Sequence, residues 1–475
     1  MKYIFSIDGG SQSTKVAIFD LDGNIVAESR APLRPNHLAP GGVVEHPDDD
    51  LWETLCRASR ETMRKFKGDP RDILGVGLCT IRFCRCLLKA DGTLAQPVMS
   101  WMDARVSRPY VQDNANCRYV TTTTGYTACR LTGKTIDTAA NCLGIWPLDL
   151  DRFDWYADEA RFSAFNAPRD MLFSLVQPGT IIGPVTETAS KATGIPIGLP
   201  VVATANDKAV EALGAGLVDE SAGVISLGTY IASMVTGSKN VLNANSFWVN
   251  LASMPRRYLY ESTGIRRGMW MLSWFVSILG EDYVAHAKEM GLTAEQRLES
   301  EAANVPAGSD GLMILLDWLA PTDMPHRKGM MLGFDARHTR AHIYRALLEA
   351  IALTMKNNFE AMTAELKHAP NRVIISGGGA QSDLFMQIFA DALALPVERT
   401  AVSGAAGLGA AICVAVATGV YASFEEAAAH MVHSGKRFLP ILENAALYAK
   451  MNEIYKTLPA SVDEPLRRAF PIFGL

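Results

Sequence analysis

Asp8-Gly9-Gly10-Ser11-Gln12-Ser13-Thr14-Lys15 gathers a carboxylate, glycines, hydroxyls and an ammonium between two apolar runs, Tyr3 to Ile7 and Val16 to Phe19. A turn built of Gly and Ser exposes backbone amides and hydroxyls that cradle phosphate oxygens. Asp8 closes the first run, where an exposed carboxylate can hold a hydrated Mg2+ against phosphates; an Asp that only stabilises its own turn is the alternative. The device is written a second time in the other half of the chain. Val224 to Leu227 meets Gly228-Thr229 and then Tyr230 to Val235. Two such turns, one per half, predict two lobes closing on one polyphosphate.

Two further segments carry chemistry. Asp207 follows a buried run, Val201 to Thr204, and precedes a helix expected over Ala209 to Leu217, a position where sites gather in α/β proteins. A carboxylate there can accept the proton of a hydroxyl attacking a γ-phosphoryl group, or simply cap the helix. Ser376-Gly377-Gly378-Gly379 follows the strand-like Val373-Ile374-Ile375, and Ser382-Asp383 opens a helix that Pro396 ends. Almost free of side chains, that turn can approach an adenine or ribose closely. It matches neither the dinucleotide fingerprint nor the P-loop. Arg82, Trp101, Asp103 and Arg105 suit a polyhydroxylated ligand, with surface pairing of Asp103 and Arg105 as the alternative.

These residues need elements to hold them. Asp22-Gly23 between two apolar runs reads as a type I′ hairpin, so the chain opens with a three-stranded meander. An amphipathic helix is expected from about Asp48 to Lys67 and a strand over Ile73 to Cys79. Thr339 reads as the cap of a helix whose Ile343, Leu347, Ile351 and Met355 form a core stripe. The domain boundary falls near Gly216, dividing the chain into residues 1–216 and 217–475.

The chain has 475 residues, 48% of them hydrophobic, enough to bury two or three cores. Its formal net charge of −5 and lack of any basic stripe argue against a nucleic-acid surface. The apolar run before Asp8 is too short for a signal peptide. Ser403 to Phe424 carries no charge, but its Gly, Ala, Ser and Thr content and the following Glu425-Glu426 read as a buried helix rather than a membrane span. A cytoplasmic protein is therefore expected. Its eight cysteines read as reduced thiols, with Cys84 and Cys86 on one face of a strand and no metal set around them.

Assembled in order, these blocks resemble the FGGY family of carbohydrate kinases, of the actin and hexokinase superfamily, from Tyr3 to about Tyr448. The resemblance implies an α/β fold of two ribonuclease H-like domains with a cleft between them, and an ATP-dependent, Mg2+-assisted phosphorylation of a sugar, polyol or sugar acid. It implies Asp8 on the metal, with Gly10, Ser11, Ser13 and Lys15 facing the phosphoryl group, Asp207 as base, and Gly228 and Thr229 as the second phosphate loop. It also implies Gly377, Gly378 and Ser382 at the adenosine, and Arg82, Asp103 and Asp207 at the substrate. The uncharged helix Ala405 to Val416 resembles the one that packs beneath the nucleotide. The partners implied are a small molecule and neither nucleic acid nor membrane, with a homodimer left open. Thr80-Ile81-Arg82-Phe83-Cys84, Met269-Trp270 and Leu315-Leu316-Asp317-Trp318 depart from the patterns common in relatives, which points to an unusual acceptor. A regulator that keeps the nucleotide clamp without turnover is the alternative.

Overall fold

The computed structural model describes residues 1–228, 230–321, 323–401 and 404–473. The chain opens as a meander of β1 (Tyr3–Gly9), β2 (Ser13–Asp20) and β3 (Ile25–Pro32), turned at Gly23 with a φ of 81°. The type I′ turn expected at Asp22-Gly23 is not formed: the Gly23 amide donates to the Asp20 carbonyl at 3.2 Å across Leu21 and Asp22, and Gly23 alone is left-handed, a conformation Gly adopts without strain. Helix α1 (Asp50–Lys65) packs on β2 and β3 through Trp52, Leu55, Cys56, Ser59 and Thr62, with acids in its first turn and bases in its last, as the helix dipole favours. Then come β4 (Ile73–Thr80), β5 (Ile181–Pro184) and β6 (Pro200–Val202), which complete a six-stranded sheet of order β5-β6-β4-β1-β2-β3. Strand β1 runs antiparallel to β2 and parallel to β4.

After α2 (Asp207–Gly214) the pattern repeats. Strands β7 (Ala222–Leu227), β8 (Ile231–Gly237), β9 (Phe247–Leu251) and β10 (Tyr258–Ser262) are followed by α3 (Arg340–Leu366). Next come β11 (Arg372–Gly377), α4 (Asp383–Leu393), β12 (Val397–Thr400), α5 (Ala405–Ala417) and β13 (Ser434–Phe438). The second sheet has the order β9-β10-β8-β7-β11-β12-β13, with β7 antiparallel to β8 and parallel to β11. A central strand flanked by an antiparallel meander on one side and parallel strands on the other is thus built twice, the topology expected of paired ribonuclease H-like domains.

Helix α5 lies in the second half of the sequence yet docks on the first sheet. Leu408, Ile412 and Val414 share a core with Ile4, Phe19 and Val202. Small residues make the approach possible: a Cβ on Gly77 would stand 2.4 Å from the Ala410 carbonyl oxygen, and one on Gly409 1.9 Å from that of Val210. Close backbone contact, not lipid, explains the uncharged segment, and no helix among the described residues is long and apolar enough to cross a membrane.

Two boundaries differ from expectation. The strand expected over Val201 to Thr204 is Pro200–Val202, and the helix expected from Ala209 to Leu217 runs from Asp207 to Gly214. Asn206 takes the capping position, its side chain accepting the Ala209 amide at 3.1 Å, so Asp207 is the first helical residue and not the cap. The cysteines are unpaired and buried, but Cys84 precedes the short strand Cys86–Leu88 and does not lie in it.

Candidate active site

Asp8 stands at the end of β1, in register with Lys15 on β2 and Cys79 on β4. The turn after it is closed by the Gly10 amide donating to the Ser13 carbonyl at 3.1 Å, and Ser11 and Lys15 are exposed at its rim. Asp207 opens the first turn of α2, close enough for its charge to act on Asp8. Burial raises the Asp8 carboxyl to about 6; Lys15 opposes the shift, while the nearby charges of Asp207 and Glu211 add to it. Burial also raises Asp207, against the pull of Arg82 and Lys208. The two carboxylates expected to handle metal and proton therefore sense each other across the space between β1 and α2.

The second sheet supplies the opposite wall. In register, Leu227 of β7 pairs with Ile231 and lies beside Gly377 of β11, so the Gly228 turn and the glycine turn after Ile375 emerge side by side. Thr229 lies outside the described residues. Gly377 has a φ of 91° and a Cβ there would stand 2.4 Å from the Leu227 carbonyl, whereas one on Gly378 would meet nothing within 4 Å. The first glycine is required by the backbone; the second faces open space. Ser382 caps α4, its hydroxyl accepting the Phe385 amide at 3.1 Å.

A partly buried network joins the walls. Glu211, one turn after Asp207 on α2, accepts the hydroxyls of Ser226 at 2.8 Å and Ser376 at 2.7 Å, and Lys208 Nζ at 3.0 Å. Burial works against the charge on Glu211, but Lys208 and the two hydroxyls outweigh it and hold the carboxyl below its ordinary range. Arg82 reaches Glu261 of β10 at 2.6 and 2.7 Å. Glu211, Ser226 and Glu261 were not among the sequence candidates, and Ser376 was read only as part of the turn toward an adenine or ribose. Their signals were a Glu at i+4 from Asp207 on one helix face and a lone charge in the apolar strand Tyr258-Leu259-Tyr260-Glu261.

Two candidates are engaged elsewhere. The Ser13 hydroxyl accepts Nε of Arg30 at 2.7 Å, on the β3 side of the meander. Asp103 is buried at the start of a short 3-10 turn, where it accepts the Val44 amide at 2.8 Å and the Arg105 amide and guanidinium at 2.6 to 2.9 Å. Arg105 continues to Glu45. Asp103 and Arg82, grouped in the sequence, thus have separate partners, and Trp101 is exposed.

No group of three or more His, Cys, Asp or Glu side chains suited to a metal occurs among the described residues. Asp8, a carboxylate at the end of β1 before an exposed glycine turn, fits a hard divalent cation that keeps most of its shell as water and phosphate oxygen.

The chain belongs to the FGGY family of carbohydrate kinases: the family's N-terminal domain model matches residues 3–110 and its C-terminal domain model residues 223–418. An uncharacterized sugar kinase of Escherichia coli strain K12 is 48% identical over 472 residues, covering 99% of this chain and 96% of that one. An autoinducer-2 kinase of Photorhabdus laumondii is 25% identical over 97% of this chain and 94% of its own. Among solved structures, a xylulose kinase from Rhodospirillum rubrum superposes with a TM-score of 0.83 at 23% identity, covering 98% of this chain and all of the other. Plasmodium falciparum glycerol kinase with ADP gives 0.82 at 18%, over 97% and 98% of the two chains. The last two establish the fold. This protein is a carbohydrate kinase.

Proposed function

We propose that it transfers the γ-phosphoryl group of ATP to a hydroxyl of a small sugar, polyol or sugar acid held between its two halves. The observation that carries this reading is that Glu211, one turn after Asp207, bonds Ser226 and Ser376 on the strands that end in the Gly228 and Gly377 turns, while Asp8 ends β1 before its own glycine turn. Asp207 orients the acceptor hydroxyl and takes its proton as the oxygen–phosphorus bond forms and ADP departs. Its raised affinity for protons, caused by burial, suits a base that must hold one briefly. Asp8 would hold Mg2+, whose charge offsets that of the phosphates. The exposed Ser11 and Lys15, with the Gly10 turn, line the first phosphate loop, and Gly228 the second. Gly377, Gly378 and Ser382 form the adenosine edge, where the absence of a side chain on Gly378 leaves room for a flat base. Catalysis of this kind is positioning and electrostatics more than covalent chemistry. Names of relatives point the same way: a sugar kinase at 48% identity and, by fold, xylulose and glycerol kinases. A cytoplasmic location agrees with the nucleotide it would consume.

The test is ADP release measured over a panel of sugars, polyols and sugar acids, with Asp207→Asn beside the wild type. Acceptor-dependent turnover that falls at least a thousandfold in the variant supports the assignment. Tight ATP binding with no acceptor-stimulated turnover makes the protein a nucleotide-dependent regulator instead.

A further inference from the structure

Arg82 and Glu261 meet across the line between the two halves. Nη1 donates to Oε2 at 2.7 Å and Nη2 to Oε1 at 2.6 Å, a planar fork on a carboxylate. The Glu261 side chain is fully buried, while that of Arg82 keeps 11% of its surface. Its guanidinium lies 4.8 Å from the Trp248 ring centre and 5.1 Å from that of Phe83. A guanidinium has five N–H donors. Nε–H and one N–H on each terminal nitrogen have no acceptor among the described residues. Arg82 is also the strongest of the groups opposing the upward shift of Asp207, so this pair borders the carboxylate assigned to the acceptor hydroxyl. Lys208, the other cation beside Asp207, is bonded to Glu211. Both cations that act on Asp207 are thus paired with carboxylates of the protein.

We infer, resting on the reading of Asp207 given above, that Glu261 sets the charge of the acceptor: the substrate is an uncharged sugar or polyol, and sugar acids and sugar phosphates are excluded. Hydroxyl oxygens of an uncharged acceptor accept the spare N–H groups of Arg82, and its C–H face lies along Trp248. Neither contact requires Arg82 to give up Glu261. An acceptor carboxylate needs a free cation, and the two that act on Asp207, Arg82 and Lys208, already hold carboxylates; it would approach Arg82 beside Glu261 and within the field of Asp207. Like charges brought together at a buried contact weaken binding by a factor on the order of 100 or more. Glu261 has no open path to water, because its side chain is fully buried.

The experiment compares kcat/KM for matched sets of acceptors, each comprising an aldose or ketose, its alditol, its aldonate and its phosphate ester. The uncharged members are expected to exceed the anionic ones by at least about 100-fold. Glu261→Gln, which keeps shape but frees the charge of Arg82, is expected to shift that ratio at least tenfold toward aldonates, and Glu261→Asp to preserve it. Should Glu261→Gln fail to fold, judged by circular dichroism, the wild-type ratio decides alone. A wild type that uses an aldonate or a sugar phosphate best overturns the inference and leaves the kinase reading standing. A folded Glu261→Gln protein with an unchanged ratio makes the pair a strut between domains and also overturns it. Absence of turnover with every acceptor removes the reading of Asp207 and this inference together.

Discussion

The Ser376 hydroxyl on β11 donates to Glu211 on α2 at 2.7 Å, joining side chains 165 positions apart and on opposite sides of the cleft. Ser226 of β7 donates to the same carboxylate at 2.8 Å, and Lys208 Nζ reaches both Glu211 and Ser226. One partly buried carboxylate therefore ties the helix that begins with Asp207 to the strands that end in the Gly228 and Gly377 turns.

Breaking this knot should cost stability in a graded way. Glu211→Gln removes the carboxylate that is paired with the partly buried Lys208 ammonium, a loss of about 3 kcal/mol. Ser376→Ala removes one hydrogen bond to a charged group, about 1.5–3 kcal/mol. Because the two side chains touch, the double variant should lose less than the sum of the single losses, by 0.5 kcal/mol or more. Urea denaturation of the four proteins measures all three quantities. Additive losses would show that Ser376 does not sense Glu211.

A second prediction concerns acid. His46 is 1% exposed and neither ring nitrogen has a hydrogen-bond partner. Burial lowers its pKa from the ordinary 6.5, with Asp50 opposing. Since the folded state then binds the proton less readily than the unfolded chain, the stability held at neutral pH declines as pH falls below 6.5 toward the lower folded value. Replacing His46 by Leu should remove this contribution. The gap in unfolding free energy between variant and wild type, followed from pH 7.5 to 5, should move in favour of His46→Leu as acid is added. A constant gap would mean that His46 titrates alike in both states.

Local grammar made much of this molecule legible in the sequence. The β2–β3 hairpin, the Thr339 and Ser382 caps and the glycines at the ends of β7 and β11 are written within a few neighbouring residues, and the structure holds each as an element end, although Asp22-Gly23 does not form the type I′ turn its residues suggest. What escaped depends on contacts distant in sequence. Glu211 looks like a solvated helix residue until Ser226 and Ser376 are brought against it. Glu261 acquires its partner only when the second sheet meets the loop after β4. Ser13 and Asp103 carry the right chemistry for a site, but Arg30, Val44 and Arg105 take up their polar atoms. At Asn206-Asp207 two capping residues stand side by side, and only the backbone decides that the first caps while the second points on.

The crossing of α2 and α5 yields a third prediction. Cβ atoms at Gly214 and Gly409 would stand 1.8 Å from the Ala405 carbonyl and 1.9 Å from the Val210 carbonyl, backbone atoms that cannot swing aside. Gly409→Ala must push the helices apart, at a cost of about 1–3 kcal/mol or more. Because α2 starts with Asp207, the displacement should also lower kcat, by roughly tenfold for a shift near 1 Å, with the ATP KM less affected. Thermal unfolding and steady-state kinetics on one preparation test both effects. An unchanged melting temperature would contradict the backbone contact.

The paired glycines after β11 separate folding from nucleotide binding. Gly377 combines a φ of 91° with a Leu227 carbonyl 2.4 Å from where a Cβ would sit, so Gly377→Ala should destabilise the protein by roughly 1–3 kcal/mol before any ligand is considered. Gly378 has ordinary backbone angles and open space around it, so Gly378→Val should melt within about 0.5 kcal/mol of wild type, as surface substitutions do. That isopropyl group would nevertheless fill the space proposed for the adenosine, and the KM for ATP should rise tenfold or more while kcat at saturation changes little, the pattern left when binding shared by ground and transition states is removed. A Gly378→Val enzyme with wild-type affinity for ATP would put the base somewhere other than along this turn, and the search would move to the surfaces of α4 that Asp383 and Arg399 now occupy.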